Sequence, residues 1–281
     1  LSVLNGYSFI HDILPKPMPR LNNSDNQIIV IFTFDTEEDW IPEKNIRLNS
    51  YLYIDSGAFY QLVNGLWKRK IKATFYITPN LAKDRPDVLR YLESRNMSIG
   101  VHLHPHQIFN VQYPYRECKE DIITKYNFTM KTKFLRMAKK QIEDTLNHEA
   151  LIFRSGRLAC DYETELASKI VGFKAISNHR GTYFIEPVGI WNLDVEGPDL
   201  FGSNYSLDDY IKIFKKRLER GDTIITFTAH PMRLYNHITH SIEKKKLENF
   251  FKFMDYLKSQ NVKFMDHYEL LKYLEKNKLN N

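Results

Sequence analysis

Short apolar runs rich in β-branched and aromatic residues alternate along the chain with longer segments whose apolar residues return every three or four positions. The first rhythm predicts buried strands and the second amphipathic helices, so the whole reads as successive βα units around a mainly parallel sheet. Strands are predicted at Ile28–Phe34, Ala73–Ile77, Ser98–His102, Ala150–Arg154, Phe173–Ser177, Gly189–Leu193, Thr223–Thr228 and Val262–Met265. The clearest helix follows Ser206, a capping hydroxyl with Asp208 and Asp209 in the first turn, Leu207, Ile211, Phe214 and Leu218 at helical spacing, and Gly221 at the end. Ser241 to Gln260 lines up Leu247, Phe250, Phe251, Met254 and Leu257 in the same way. The pattern never resets and contains neither a linker nor a repeat. It predicts an N-terminal arm over residues 1–24 and one barrel-like α/β domain over residues 25–281. The stretch from Tyr115 to Asn147 is the one insertion larger than a crossover.

Composition narrows the function classes. Of 281 residues, 43% are hydrophobic and 26% charged, an ordinary globular balance. The net charge of +6 is spread along the chain, so nucleic acid is not an expected partner. Two cysteines, Cys118 and Cys160, are too few for a disulfide scaffold and suit a reduced interior. The longest wholly apolar run, Ile28 to Phe32, is far short of the ~18 residues of a membrane span, and the first residues lack a signal-peptide core. A cytoplasmic location is the resulting expectation.

The chemistry gathers at predicted strand ends, where barrels carry their functional groups. After the first strand comes Thr33-Phe34-Asp35-Thr36-Glu37-Glu38-Asp39-Trp40, in which an extended chain turns Asp35, Glu37 and Asp39 to one side. After the third comes Gly100-Val101-His102-Leu103-His104-Pro105-His106, three histidines in five positions, a density suited to a metal such as zinc. His102 and His104 share a side if the strand continues, whereas His102 and His106 converge if the chain turns at Pro105. Arg154 ends the fourth strand, where it can keep a catalytic carboxylate ionised. His230 follows the Thr223–Thr228 strand in Phe227-Thr228-Ala229-His230-Pro231 and has the titration range of a general acid. Asp194, after Trp191-Asn192-Leu193, could orient it.

Taken in order, these segments resemble the polysaccharide deacetylase family, also called the NodB-homology or carbohydrate esterase family 4 group. Thr33-Phe34-Asp35 resembles the family's opening Thr-Phe-Asp-Asp, in which the first Asp is the base and the second a metal ligand. Thr36 stands at the second position, and Glu37 is the compensating ligand in the resembling Asp-X-Glu pattern. Ile99-Gly100-Val101-His102 with His106 resembles the two metal histidines four apart, and Lys72-Ala73-Thr74-Phe75-Tyr76 the strand between the motifs. Phe153-Arg154 resembles the third motif, although Ser155-Gly156-Arg157-Leu158 replaces its usual continuation, which implies a different substrate groove. Phe227 to Pro231 resembles the last motif, whose histidine is the general acid, with Asp194 where the family has its orienting Asp.

The resemblance spans residues 25–275 and implies a NodB-type barrel, a divalent metal with zinc the expected ion, and removal of an N-acetyl or similar acyl group from an amino sugar of a surface polysaccharide or its precursor. Asp35, His230, Arg154 and Asp194 are then the catalytic set, and Glu37, His102 and His106 the metal ligands. Two other readings compete. An amidohydrolase or phosphoesterase barrel would use His102-X-His104, a pair that in those enzymes usually follows the first strand. A silent carbohydrate-binding relative would have lost its metal with the change at Thr36.

Overall fold

The computed structural model describes residues 27–41, 46–48, 50–108 and 122–278. The predicted arm, residues 1–24, lies outside them, as does the first part of the insertion after Tyr115. Nine strands form one curled sheet: β1 (Ile28–Thr36), β2 (Thr74–Ile77), β3 (Ser98–Leu103), β4 (Ile152–Ser155), β5 (Ala175–Ile176), β6 (Tyr183–Ile185), β7 (Ile190–Asn192), β8 (Ile224–Ala229) and β9 (Val262–Phe264). Their order is β8-β1-β2-β3-β4-β5-β7-β6, with β9 paired to the start of β1. All pairings are parallel except that of β6 with β7. This is the half-barrel of the NodB type. Eight of the nine strands fall on predicted segments. The exception, β6, is a half-buried edge strand of three residues, too short for an alternation to register.

Around the sheet lie α1 (Ala58–Lys68), α2 (Pro86–Ser94), α3 (Phe128–Leu146), α4 (Tyr162–Val171), α5 (Leu207–Glu219), α6 (Lys244–Ser259) and α7 (His267–Lys278). Ser206 caps α5 in a reciprocal box with Asp209. The second half of the insertion is α3, capped by Asn127. No helix among the described residues is long and apolar enough to cross a membrane.

The period of two along β1 divides the interior. Val30, Phe32 and Phe34 face the helices, where Phe34 stacks on Phe75 at 4.8 Å and Phe32 meets Phe250 edge-on at 5.2 Å. Burying each such ring stabilises the fold by about 1.5–3 kcal/mol. Ile29 and Ile31 face the other way, into the hollow of the sheet, with Ile152 and with Leu270, Leu271 and Leu274 of α7 closing one end. The same period carries this inner face onward to Thr33 and Asp35. Register then sets the floor of the site: Asp35 lies opposite Tyr76, Tyr76 opposite Gly100, and His102 opposite Arg154. A Cβ on Gly100 would stand 2.8 Å from the Tyr76 ring, so glycine there is what lets that ring lie across the strand.

Candidate active site

Asp35, at the end of β1, is 5% exposed, and Arg154, on β4, is fully buried beside it. Arg154 Nη1 donates to Asp35 Oδ1 at 2.6 Å and to Thr33 Oγ1 at 3.1 Å. Its Nε and Nη2 donate to the Ser177 carbonyl and hydroxyl, and its guanidinium lies 4.0 Å over the Tyr76 ring. A buried arginine is tolerable only with its donors satisfied, and here every contact also fixes Asp35. Burial pushes the Asp35 carboxyl up, but Arg154, then His102 and His230, outweigh it and hold the group below its usual range. Tyr76 is held from behind by His267, its hydroxyl 2.6 Å from Nδ1.

His102 and Glu37 meet above this pair. His102 Nδ1 lies 3.1 Å from the Arg154 carbonyl. A carbonyl only accepts, so Nδ1 carries the proton and Nε2 presents a lone pair, the tautomer a metal ligand needs. Burial pushes the His102 pKa down to about 4, which keeps the ring neutral. His104 Nε2 is 3.2 Å from Glu37 Oε2, its ring edge-on to His102 at 4.9 Å. Donor atoms of Glu37, His102 and His104 all lie within 4.8 Å of one another, and all three residues are buried. The histidine gathered with Glu37 and His102 is therefore His104, whereas the family spacing points to His106. The reason is local. Extended chain runs through Leu103, keeping His102 and His104 on one side, and a 3-10 turn from Pro105 carries His106 to the pocket wall, its ring 5.7 Å from that of His104. Gly156 makes room for this arrangement, since a Cβ there would come within 2.4 Å of the His104 ring.

His230 faces the cluster from the end of β8, with Nε2 3.9 Å from both Asp35 Oδ2 and Glu37 Oε1. Its Nδ1 pairs with Asp199 Oδ2 at 2.9 Å, and its backbone N–H donates to Asp199 Oδ1. Burial opposes the charge on His230, but Asp199, then Asp35 and Glu37, raise its pKa to about 9. The carboxylate paired with His230 is thus Asp199, whereas the resemblance points to Asp194. Asp194 accepts from Arg217 Nη2 and from the Gly181 N–H, a brace between β7 and α5. Asp199 escapes sequence reading because it sits in an irregular loop after Gly197-Pro198, with only that turn signal beside it. Nor does the acidic run all point inward. Asp39 accepts from Ser50 and the Leu52 N–H, and Glu38 from Asn80, because the strand ends at Thr36 and its alternation stops there.

The groups converge on a pocket of about 500 Å³ at the C-terminal ends of the strands, walled also by Trp40, Leu158 and Val195. Such a pocket at the strand ends of a curled, mainly parallel sheet is where a (β/α) barrel carries its functional groups. The family model described as polysaccharide deacetylase matches residues 22–176, and the chain belongs to that family. Among solved structures it is similar to a putative polysaccharide deacetylase from Mycobacterium smegmatis, with 14% identity, a TM-score of 0.68 and 94% of each chain covered. It is also similar to a family 4 carbohydrate esterase from Streptomyces lividans in complex with acetate, at 13% identity and a TM-score of 0.54 over 84% of this chain and 91% of that one. A pseudoenzyme of the same family from Bacillus anthracis aligns at 14% identity and a TM-score of 0.56, over 88% of this chain and 66% of that one. No curated protein matches the sequence.

Proposed function

We propose that this chain is a metal-dependent hydrolase that removes an N-acetyl or similar small N-acyl group from an amino sugar of a surface polysaccharide or its precursor. The observation that carries the reading is the buried Glu37, His102 and His104 cluster set between Asp35 and His230. One carboxylate and two imidazoles, one of them in the ligating tautomer, fit a zinc-class ion. Bound there, it would supply Lewis acidity to the acyl carbonyl and to water. The chain's own groups do the proton work. Asp35 Oδ2, left available while Arg154 holds Oδ1, takes the proton of the attacking water. His230, kept protonated and aimed by Asp199, delivers a proton from Nε2 to the departing amine. Trp40 and Leu158 offer apolar surface to a sugar ring.

The test is metal analysis of the purified protein joined to an acetate-release screen over N-acetylated monosaccharides, oligosaccharides and lipid-linked sugars, before and after chelation. Metal-dependent acetate release supports the proposal. A metal-free, inactive protein that binds the glycans would instead mark the silent relative that Thr36 suggests, and activity on a phosphoester alone would mark the other metal-barrel chemistry.

A further inference from the structure

Beyond the pocket, the rim of the sheet carries a second group of donors. Cys160 ends the loop that leaves β4, Glu165 lies in the first turn of α4, and His179 lies in the loop after β5. None of them lines the active pocket. Their thiol, carboxylate and imidazole atoms lie within 4.8 Å of one another, and all three residues are half-buried. His179 Nε2 and Glu165 Oε1 are already 2.9 Å apart. Donors around a tetrahedral ion stand about 3.3–3.8 Å apart, given metal–donor distances of about 2.0–2.3 Å, so side-chain rotation closes the triangle.

The backbones are fixed for this. Asp161 caps α4 through the Thr164 N–H at 2.8 Å, which sets Cys160 relative to Glu165. Asn192 holds both the N–H and the carbonyl of His179. A separate feature points the same way. Asn178 is 5% exposed, and its Oδ1 accepts from the N–H and hydroxyl of Ser155. Its Nδ2 meets no nitrogen or oxygen acceptor among the described residues and is directed at the Cys160 sulfur, where its hydrogen bond favours the thiolate. A neutral thiol is a poor acceptor, whereas a thiolate held by a cation takes an N–H well.

We propose that Cys160, Glu165 and His179 form a second metal site, for zinc or a cation of similar softness, which ties the loop bearing Arg157 and Leu158 to the end of β5. Thiolate with imidazole selects zinc-like ions over magnesium or calcium, and three protein ligands leave one position for water. Arg157 and Leu158 line the active pocket, and both hold a left-handed backbone at φ 55°. A cation two residues further on would clamp that constrained turn. The site involves none of the residues proposed for catalysis, so it stands or falls apart from that reading.

The test is cobalt titration of the full-length chain, read as the near-ultraviolet thiolate-to-cobalt charge-transfer band, with bound metal counted after dialysis. The band should form in the wild type, in His102→Ala and in Cys118→Ser, and be absent in Cys160→Ser. Should Cys160→Ser fail to fold, His179→Gln carries the test by weakening band formation roughly tenfold or more. No band in the wild type, a band that survives Cys160→Ser, one lost in Cys118→Ser, or one unchanged in His179→Gln would each overturn the proposal.

Discussion

The two donor clusters sit on the same rim of one sheet and are built in opposite ways. Glu37, His102 and His104 are buried and stand at or just beyond the ends of β1 and β3, so strand register sets their spacing. Cys160, Glu165 and His179 are half-buried and come from two loops and a helix start, so only a cap and an asparagine fix theirs. The first has a carboxylate and a histidine poised beside it, each locked by a partner of opposite charge. The second abuts a helix N-terminus and the Asn178 amide, which is directed at the Cys160 sulfur. The difference teaches where chemistry and where clamping belong: proton transfer needs partners placed to a fraction of an ångström, which strands supply, whereas a clamp needs only to join segments that would otherwise move.

The largest expected effect would break the first cluster alone. Glu37→Ala, His102→Ala and His104→Ala should each lose the pocket's metal and all detectable turnover, while His106→Ala keeps the metal; emission spectrometry of dialysed protein reads this. Metal lost with His106→Ala and kept with His104→Ala would restore the four-residue spacing. Next comes His230→Ala, which should retain metal yet lose roughly 10²–10⁴-fold in rate on an amide. An acetyl ester with a phenolate leaving group, which departs unprotonated, should be cleaved at close to the wild-type rate. Equal loss on both substrates would make His230 something other than the acid.

A smaller effect isolates the charge behind that histidine. In the metal-free protein the His230 ring should titrate near pH 9, and Asp199→Asn should bring that midpoint down, as proton NMR would show. The linkage has a definite sign. A raised histidine pKa contributes stability that is complete below the unfolded value of about 6.5 and vanishes as pH climbs through about 9. Asp199→Asn should therefore destabilise the metal-free protein more at pH 6 than at pH 10, where the His230 share is gone and only the ion pair with Arg233 is lost. Equal destabilisation at both would mean that Asp199 acts through Arg233 or through packing and not through the charge on His230. Smallest is Gly156→Ala, whose Cβ must displace the His104 ring and should weaken metal binding about tenfold with a stability loss of about 1–3 kcal/mol. Unchanged affinity would argue that the His104 ring has slack.

How much of this is legible beforehand follows from the same contrast. His102 and Arg154 end predicted strands, and Asp35 and Glu37 follow another closely, so the rule that barrels carry their functional groups at strand ends groups the four before the strand pairing is known. His104 is legible only as one of two options, because the outcome depends on whether the strand outlasts Leu103. Asp199 and the Cys160 cluster are not legible, since loops have no period and their partners meet only after the sheet has curled. Asp194 misleads for the opposite reason: it follows a real strand, yet its carboxylate turns to Arg217.

The most direct test of the catalytic account is acetate release by Asp35→Asn carrying its full complement of metal. An amide of the same shape keeps the Arg154 contact through its oxygen but cannot accept a proton. The account predicts a folded protein that retains metal and has lost at least roughly 10²-fold in turnover on an N-acetylated amino sugar. Turnover at the wild-type rate would contradict it and move the base to another group.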